Sequence, residues 1–181
     1  MNKLLEDNEY IKKRIKKIVT IRHFEKLIVK IILILFFIFL VNKIFFGFYR
    51  MKDNSMNPSI QHGELIIYYR LEKEYSIGDV VVYSVNGKNY VGRIVAIAGQ
   101  VIDIDEKGNV FIDEHAENFN ALYSTVIPDN SEITIPYRVP INRVFILQDY
   151  RNGVQDSRTF GGIEIDKIEG KVISTVNIRD I

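Results

Sequence analysis

The sequence predicts a mainly β protein, an antiparallel β domain behind a single N-terminal transmembrane helix. Three observations carry this. Residues 27–49, LIVKIILILFFIFLVNKIFFGFY, form one long apolar run. From residue 64 onward the chain turns to short β-branched stretches: ELIIYYR, DVVVYS, NYVGRIVAI, VIDID, NVFI, RVFILQ and KVISTV. Turn signals separate them, at IGD 77–79, NGK 86–88, EKGN 106–109 and RNG 151–153.

Residues 1–26 are a basic segment expected on the cytoplasmic side. They hold eight Lys/Arg against four acids. Ile11, Ile15 and Ile18 recur at helical spacing among lysines. Two readings stand for that stretch, a helix lying on the inner leaflet and a solvated, frayed helix.

The 23 residues of 27–49 reach about 34 Å as a helix, enough for a hydrocarbon core of about 30 Å. Lys30 and Lys43 can run their stems along lipid and keep their ammonium groups at the interface. Phe45, Phe46, Phe48 and Tyr49 suit the outer boundary. VNKIFF contains no small-x-small cleavage site, which favours an uncleaved anchor over a removed leader. A buried core helix is the alternative, but apolarity all round would need a larger domain to cover it. The lysine bias places the N-terminus in the cytoplasm and residues 50–181 on the outer side of the cell membrane.

Residues 50–181 read as one extracellular β domain. VNGKN between two apolar runs is a hairpin signal. Residues 113–140 break the strand rhythm. They read as a long excursion bordering a cleft or as a tolerant surface loop. No internal repeat or low-complexity tract is evident.

Composition narrows the chemistry. The chain of 181 residues has no cysteine, so neither a disulfide framework nor a thiolate site is expected. Its histidines, His23, His62 and His115, are far apart, and no metal or other cofactor is expected. From residue 47 onward 14 Lys/Arg stand against 19 acids. A basic head on an acidic body argues against nucleic acid as a partner.

Four blocks in order carry the site. Ser55-Met56-Asn57-Pro58 comes first, followed by Gly63-Glu64 and then SIGDVVVY at 76–83. YVGRIVAIAGQVIDIDEKGNVFID occupies 90–113, and VFILQDYRNGVQDSRTFGGI occupies 144–163. Together they resemble the type I signal peptidases of Gram-positive bacteria, over most of the chain. That resemblance implies a Ser/Lys dyad that cleaves signal peptides from exported preproteins at the outer membrane surface. Lysine normally carries a proton, with a pKa near 10.4. Apolar burial lowers that value toward about 7–8, and the neutral amine can then take the serine proton.

The resemblance puts the nucleophile at Ser55 and the lysine at the third position of a Tyr-Val-Lys-Arg pattern. Here the pattern reads Tyr90-Val91-Gly92-Arg93, so the base position is Gly92. Arg93 is no substitute, because a guanidinium stays charged and alternate strand residues face opposite ways. Lys88 shares the parity of Gly92 but lies about 13 Å along a strand. His62 follows Ser55 by seven residues on a loop. In the last block Gln148, Tyr150 and Val154 stand where relatives carry glycine, asparagine and a serine near the lysine. Asp149, Arg151, Asp156, Ser157 and Arg158 are retained, and they read as structural support. Asp53 stands where some relatives have a small or hydroxyl residue, and a carboxylate there would repel a developing oxyanion.

Ser55 reads either as a nucleophile or as a locally bonded loop serine. Met56 and Pro58 read as the lining of a peptide groove, or as core packing. Three functions follow. The first is a signal peptidase relative with a degenerate site that binds peptides. It resembles the proteins of Gram-positive pilus systems that lack the dyad and assist assembly, so pilus subunits are candidate clients. The second is an active serine endopeptidase using a non-standard base. The third is a membrane-anchored β scaffold.

Overall fold

The computed structural model describes residues 2–119, 123–129, 131–153 and 155–177, with side chains from His23 onward. Val154 and the side chains of Ile11, Ile15 and Ile18 lie outside the described residues. The chain divides into two units, residues 1–44 and 45–181.

The first unit is the helix α1 (Asn2–Phe45). Its segment His23–Phe45 is 23 residues long, with a hydropathy of 2.7, and none of it is buried within the chain. It is therefore not the core helix of a soluble fold but one apolar helix long enough to cross a membrane. The Asn42 amide donates to the Ile38 carbonyl at 2.8 Å, which answers a polar group inside the apolar stretch.

The apolar run expected to act as one segment over 27–49 divides in two. Phe46–Arg50 is not helical; it is β1, the edge strand of the main sheet. Gly47 makes this possible. A Cβ there would stand 2.1 Å from the ring of Tyr68 on the facing strand. Phe46 packs against Tyr69 with ring centroids 5.9 Å apart, as part of the sheet.

The second unit holds two antiparallel sheets. After β1 come β2 (Leu65–Tyr69), β3 (Val80–Val85), β4 (Lys88–Ile97), β5 (Val101–Ile104) and β6 (Val110–Ile112). Then follow β7 (His115–Ala116), β8 (Tyr137–Arg138), β9 (Arg143–Leu147), the short helix α2 (Ser157–Phe160), β10 (Ile163–Glu164) and β11 (Ile168–Val176). The main sheet runs β1-β2-β11-β3-β4-β9-β10 and the smaller one β7-β6-β5-β8. All seven stretches read as strands from the sequence are strands here.

The β3–β4 hairpin turns on Asn86 (φ 51°) and Gly87 (φ 74°), a two-residue loop with both residues left-handed. Residues 113–140 are not a plain loop. β7 and β8, near its two ends, both join the smaller sheet. Buried apolar side chains gather in three clusters. One, around Met51, Met56, Ile66 and Val91, lies beneath the loop joining β1 to β2. Another, around Val81, Tyr83, Ile94 and Ile146, lies beneath β3, β4 and β9. The third, around Ile102, Phe145 and Leu147, joins the two sheets.

Candidate functional site

The loop between β1 and β2 is closed at its base by two backbone bonds. Met51 N–H donates to Glu64 and Gly63 N–H to Met51, each at 2.9 Å. Ser55 sits half-buried on this loop. Its N–H donates to Asp53 Oδ1 at 3.0 Å, and its carbonyl accepts the Tyr150 N–H at 2.9 Å. Among the described residues no amine or carboxylate hydrogen-bonds the Ser55 hydroxyl. His62 and Lys88 are exposed, and Lys88 lies at the closing pair of the β3–β4 hairpin.

Met56 and Pro58 part company. Met56 is 0% exposed inside the first apolar cluster. Pro58 is exposed and borders a cavity of about 310 Å³ together with Arg93, Phe119 and Asp149. Phe119 comes from the excursion, and the Arg93 guanidinium lies 5.5 Å from its ring centroid.

Gly92 is paired with Val81 of β3. A Cβ on it would stand 2.4 Å from Ile146 Cγ2, 3.2 Å from the Leu147 carbonyl oxygen and 3.4 Å from the Tyr83 ring. Ile146 is fully buried. The space a side chain at 92 would enter is therefore already packed. The next residue, Arg93, grips Asp149 through two parallel bonds, Nε to Oδ1 at 2.9 Å and Nη2 to Oδ2 at 2.6 Å. It also donates to the Gly78 carbonyl at 2.9 Å and to Ser59 Oγ at 3.2 Å. This fork ties β4 to the loops that follow β9 and Ser55.

Two further ion pairs hold the stretch after β9. Arg151 is buried, pairs with Glu117 and donates to Thr125 Oγ1 at 3.1 Å. Asp156 and Arg158 are both 0% exposed. Asp156 caps α2, accepting the Arg158 N–H at 3.0 Å, and it also accepts the Gln148 N–H at 3.0 Å. Arg158 spends its remaining donors on the carbonyls of Val126, Arg151 and Gly153. A buried pair satisfied this fully fixes a loop. Ser157 Oγ accepts the Ile146 N–H at 2.9 Å. The fully buried Tyr83 donates to the Gln155 carbonyl at 3.2 Å. Burial first, then the Asp156 carboxylate and Tyr90, push its pKa well above the ordinary phenol value; Arg158 opposes them.

One edge near the site is unpaired. Val85 and Lys88 close the two-residue hairpin, so Lys88, Tyr90 and Gly92 turn their N–H and C=O groups toward β3. Asn89 and Val91 turn theirs the other way. On that side β9 pairs with β4 only from Arg93 onward, where Arg93 faces Leu147. β1 likewise pairs only with β2. Although β2, β11 and β3 lie between them in the sheet, the Tyr49 hydroxyl of β1 donates to the Asn89 carbonyl of β4 at 3.2 Å. One tyrosine side chain thus links the outer strand β1 to the outward-turned Asn89 carbonyl of β4.

Ile146, Tyr49, Glu117 and Phe119 carry much of this geometry, and sequence reasoning assigned a role in the site to none of them. Each acts through a contact between distant segments that no local pattern announces.

The family described as signal peptidase, peptidase S26, matches residues 24–176. The chain belongs to that family. Signal peptidase I of Bacillus caldolyticus is 32% identical over 145 residues, covering 70% of this chain and 77% of the relative. Inactive signal peptidase IA of Staphylococcus aureus is 24% identical over 154 residues, covering 81% and 88%. Signal peptidase IB of S. aureus (strain Mu50) is 29% identical over 161 residues, covering 75% and 80%. A crystal structure of a signal peptidase I from Enterococcus faecalis is similar with a TM-score of 0.44 and 21% identity, covering 56% of this chain and 97% of that one.

Proposed function

We propose that this chain is a membrane-anchored signal peptidase relative that holds exported polypeptides in extended form without cutting them efficiently. The observation that carries the reading is the packed backbone at Gly92. Where the resemblance calls for a base lysine there is no side chain, and Ile146 fills the volume one would use. A serine hydroxyl without a base is a poor nucleophile at neutral pH. Asp53 adds to this. Its carboxylate takes the Ser55 N–H, the kind of donor an oxyanion would need. Asp149, Arg151, Asp156 and Arg158 serve as structural support for the stretch after β9.

Binding survives the loss of chemistry because the unpaired edge of β4 remains. An extended peptide can add to it through main-chain hydrogen bonds. The basic head supports a cytoplasmic N-terminus and a β domain outside, where exported preproteins emerge. Pilus subunits are the narrower client class, supported by the resemblance to dyad-lacking pilus assembly proteins alone. The existence of an inactive member among the relatives fits a family in which the fold outlasts the reaction.

The test uses the full chain in detergent and a labelled peptide with an apolar segment ending in a small-x-small motif. Saturable binding with no Ser55-dependent product supports the reading, and absence of binding removes it. The second reading, an active signal peptidase, is favoured by the retained serine and by the 32% identity to a signal peptidase I. It requires that product form and that Ser55→Ala abolish it.

A further inference from the structure

We propose that Tyr49 is a crossbar between the free edges of β1 and β4, and that its hydroxyl sets how tightly an extended peptide is held there. This rests on the peptide-holding reading above. Both edges lack a neighbour: β1 on its outer side, and β4 before Arg93. Tyr49 leaves β1 from the middle of its pairing with β2, opposite Ile66, and ends on the Asn89 carbonyl. Its ring packs on the cluster around Met51, Met56 and Val91, and its hydroxyl bridges the two strands.

An incoming strand needs the groups that Asn89 and Val91 turn outward, because antiparallel pairing uses the N–H and C=O of alternate residues. The Asn89 carbonyl is the first of these, and the tyrosine already holds it. Peptide N–H and tyrosine O–H thus compete for one acceptor, and binding exchanges one donor for another. The bond is neutral and exposed, so it holds the two strands only weakly and can yield to a peptide donor. Tyr49 stays a donor at any working pH, since burial, then Asp53 and Tyr90, raise its pKa above the usual 10.0.

Tyr49→Phe keeps the ring and deletes the hydroxyl. The experiment is hydrogen exchange of the full chain in detergent, read on the segment 86–93, with and without the labelled small-x-small peptide. Without peptide, Tyr49→Phe is expected to exchange about fivefold faster at this segment, the size of one net neutral hydrogen bond. With peptide, the segment becomes protected in both proteins, and the peptide binds Tyr49→Phe about fivefold tighter. Unchanged exchange with unchanged affinity overturns the crossbar, and so does weaker binding by Tyr49→Phe. If neither protein binds the peptide, the peptide-holding reading fails by itself. Exchange then still decides the contact: faster exchange in Tyr49→Phe upholds a bar between the two edges, and equal exchange removes it.

Discussion

Ile146 and Gly92 share one side-chain volume: the Ile146 Cγ2 lies 2.4 Å from where a Cβ on Gly92 would stand. A lysine cannot return to position 92 while that isoleucine remains. Gly92→Lys alone is expected to cost about 1–3 kcal/mol through overpacking and to leave the protein without cleavage activity. Gly92→Lys with Ile146→Ala gives the stem a place to lie. The pair is expected to be more stable than the single variant. It is also expected to gain Ser55-dependent cleavage of a preprotein, about 10² above background. Thermal unfolding and a gel-based cleavage assay read the two effects.

Asp53 acts on the same reaction from the other side. Its carboxylate holds the Ser55 N–H at 3.0 Å. Asp53→Ala in the otherwise unaltered chain is expected to yield no product, since the base is still missing. Added to the Gly92→Lys/Ile146→Ala pair, it is expected to raise kcat, with an upper bound of about 10²–10³, the value of an oxyanion donor. A kcat that falls on adding Asp53→Ala would mean that the carboxylate assists rather than competes.

The ion pairs differ in depth, and their stability effects are expected to differ in step. Asp156 and Arg158 are both 0% exposed, whereas Arg143 and Glu164 have side chains 38% and 41% exposed. Arg158→Ala leaves Asp156 buried without its counter-charge and is expected to cost about 3–5 kcal/mol. Glu164→Gln is expected to cost less than about 1 kcal/mol. Thermal unfolding of the two variants side by side provides the comparison.

Tyr83 gives the protein an alkaline limit. Its folded pKa is raised well above 10.0, mainly by burial. The unfolded chain therefore releases the phenol proton first as pH rises. Its contribution is fully present below about pH 10 and declines as the pH climbs from there toward the folded value. Unfolding midpoints are expected to fall steeply above about pH 10. Tyr83→Phe is expected to flatten that limb while losing the bond to Gln155, about 1 kcal/mol at neutral pH.

The strands of the main core were legible because their β-branched runs alternate with turn residues, and Asn86-Gly87 carries its own backbone requirement. β1 was not. Phe46, Phe48 and Tyr49 continue an apolar run without a break, and only the Gly47–Tyr68 contact shows why the helix stops at Phe45. β7, β8 and β10 are two residues each, too short to show a period. Gly92 was visible as a missing amine, but its replacement by Ile146 was not. That contact joins residues on different strands, and isoleucine in a β run looks like ordinary core. Met56, which the sequence leaves as groove or core, is completely buried.

The most direct measurement is single-turnover cleavage of a labelled preprotein, with the full chain in detergent and in excess over substrate. The unaltered protein and Ser55→Ala are expected to give the same trace, with no product above the uncatalysed background. Product formed by the unaltered protein and lost in Ser55→Ala would contradict the central claim that Gly92 leaves the serine without a base.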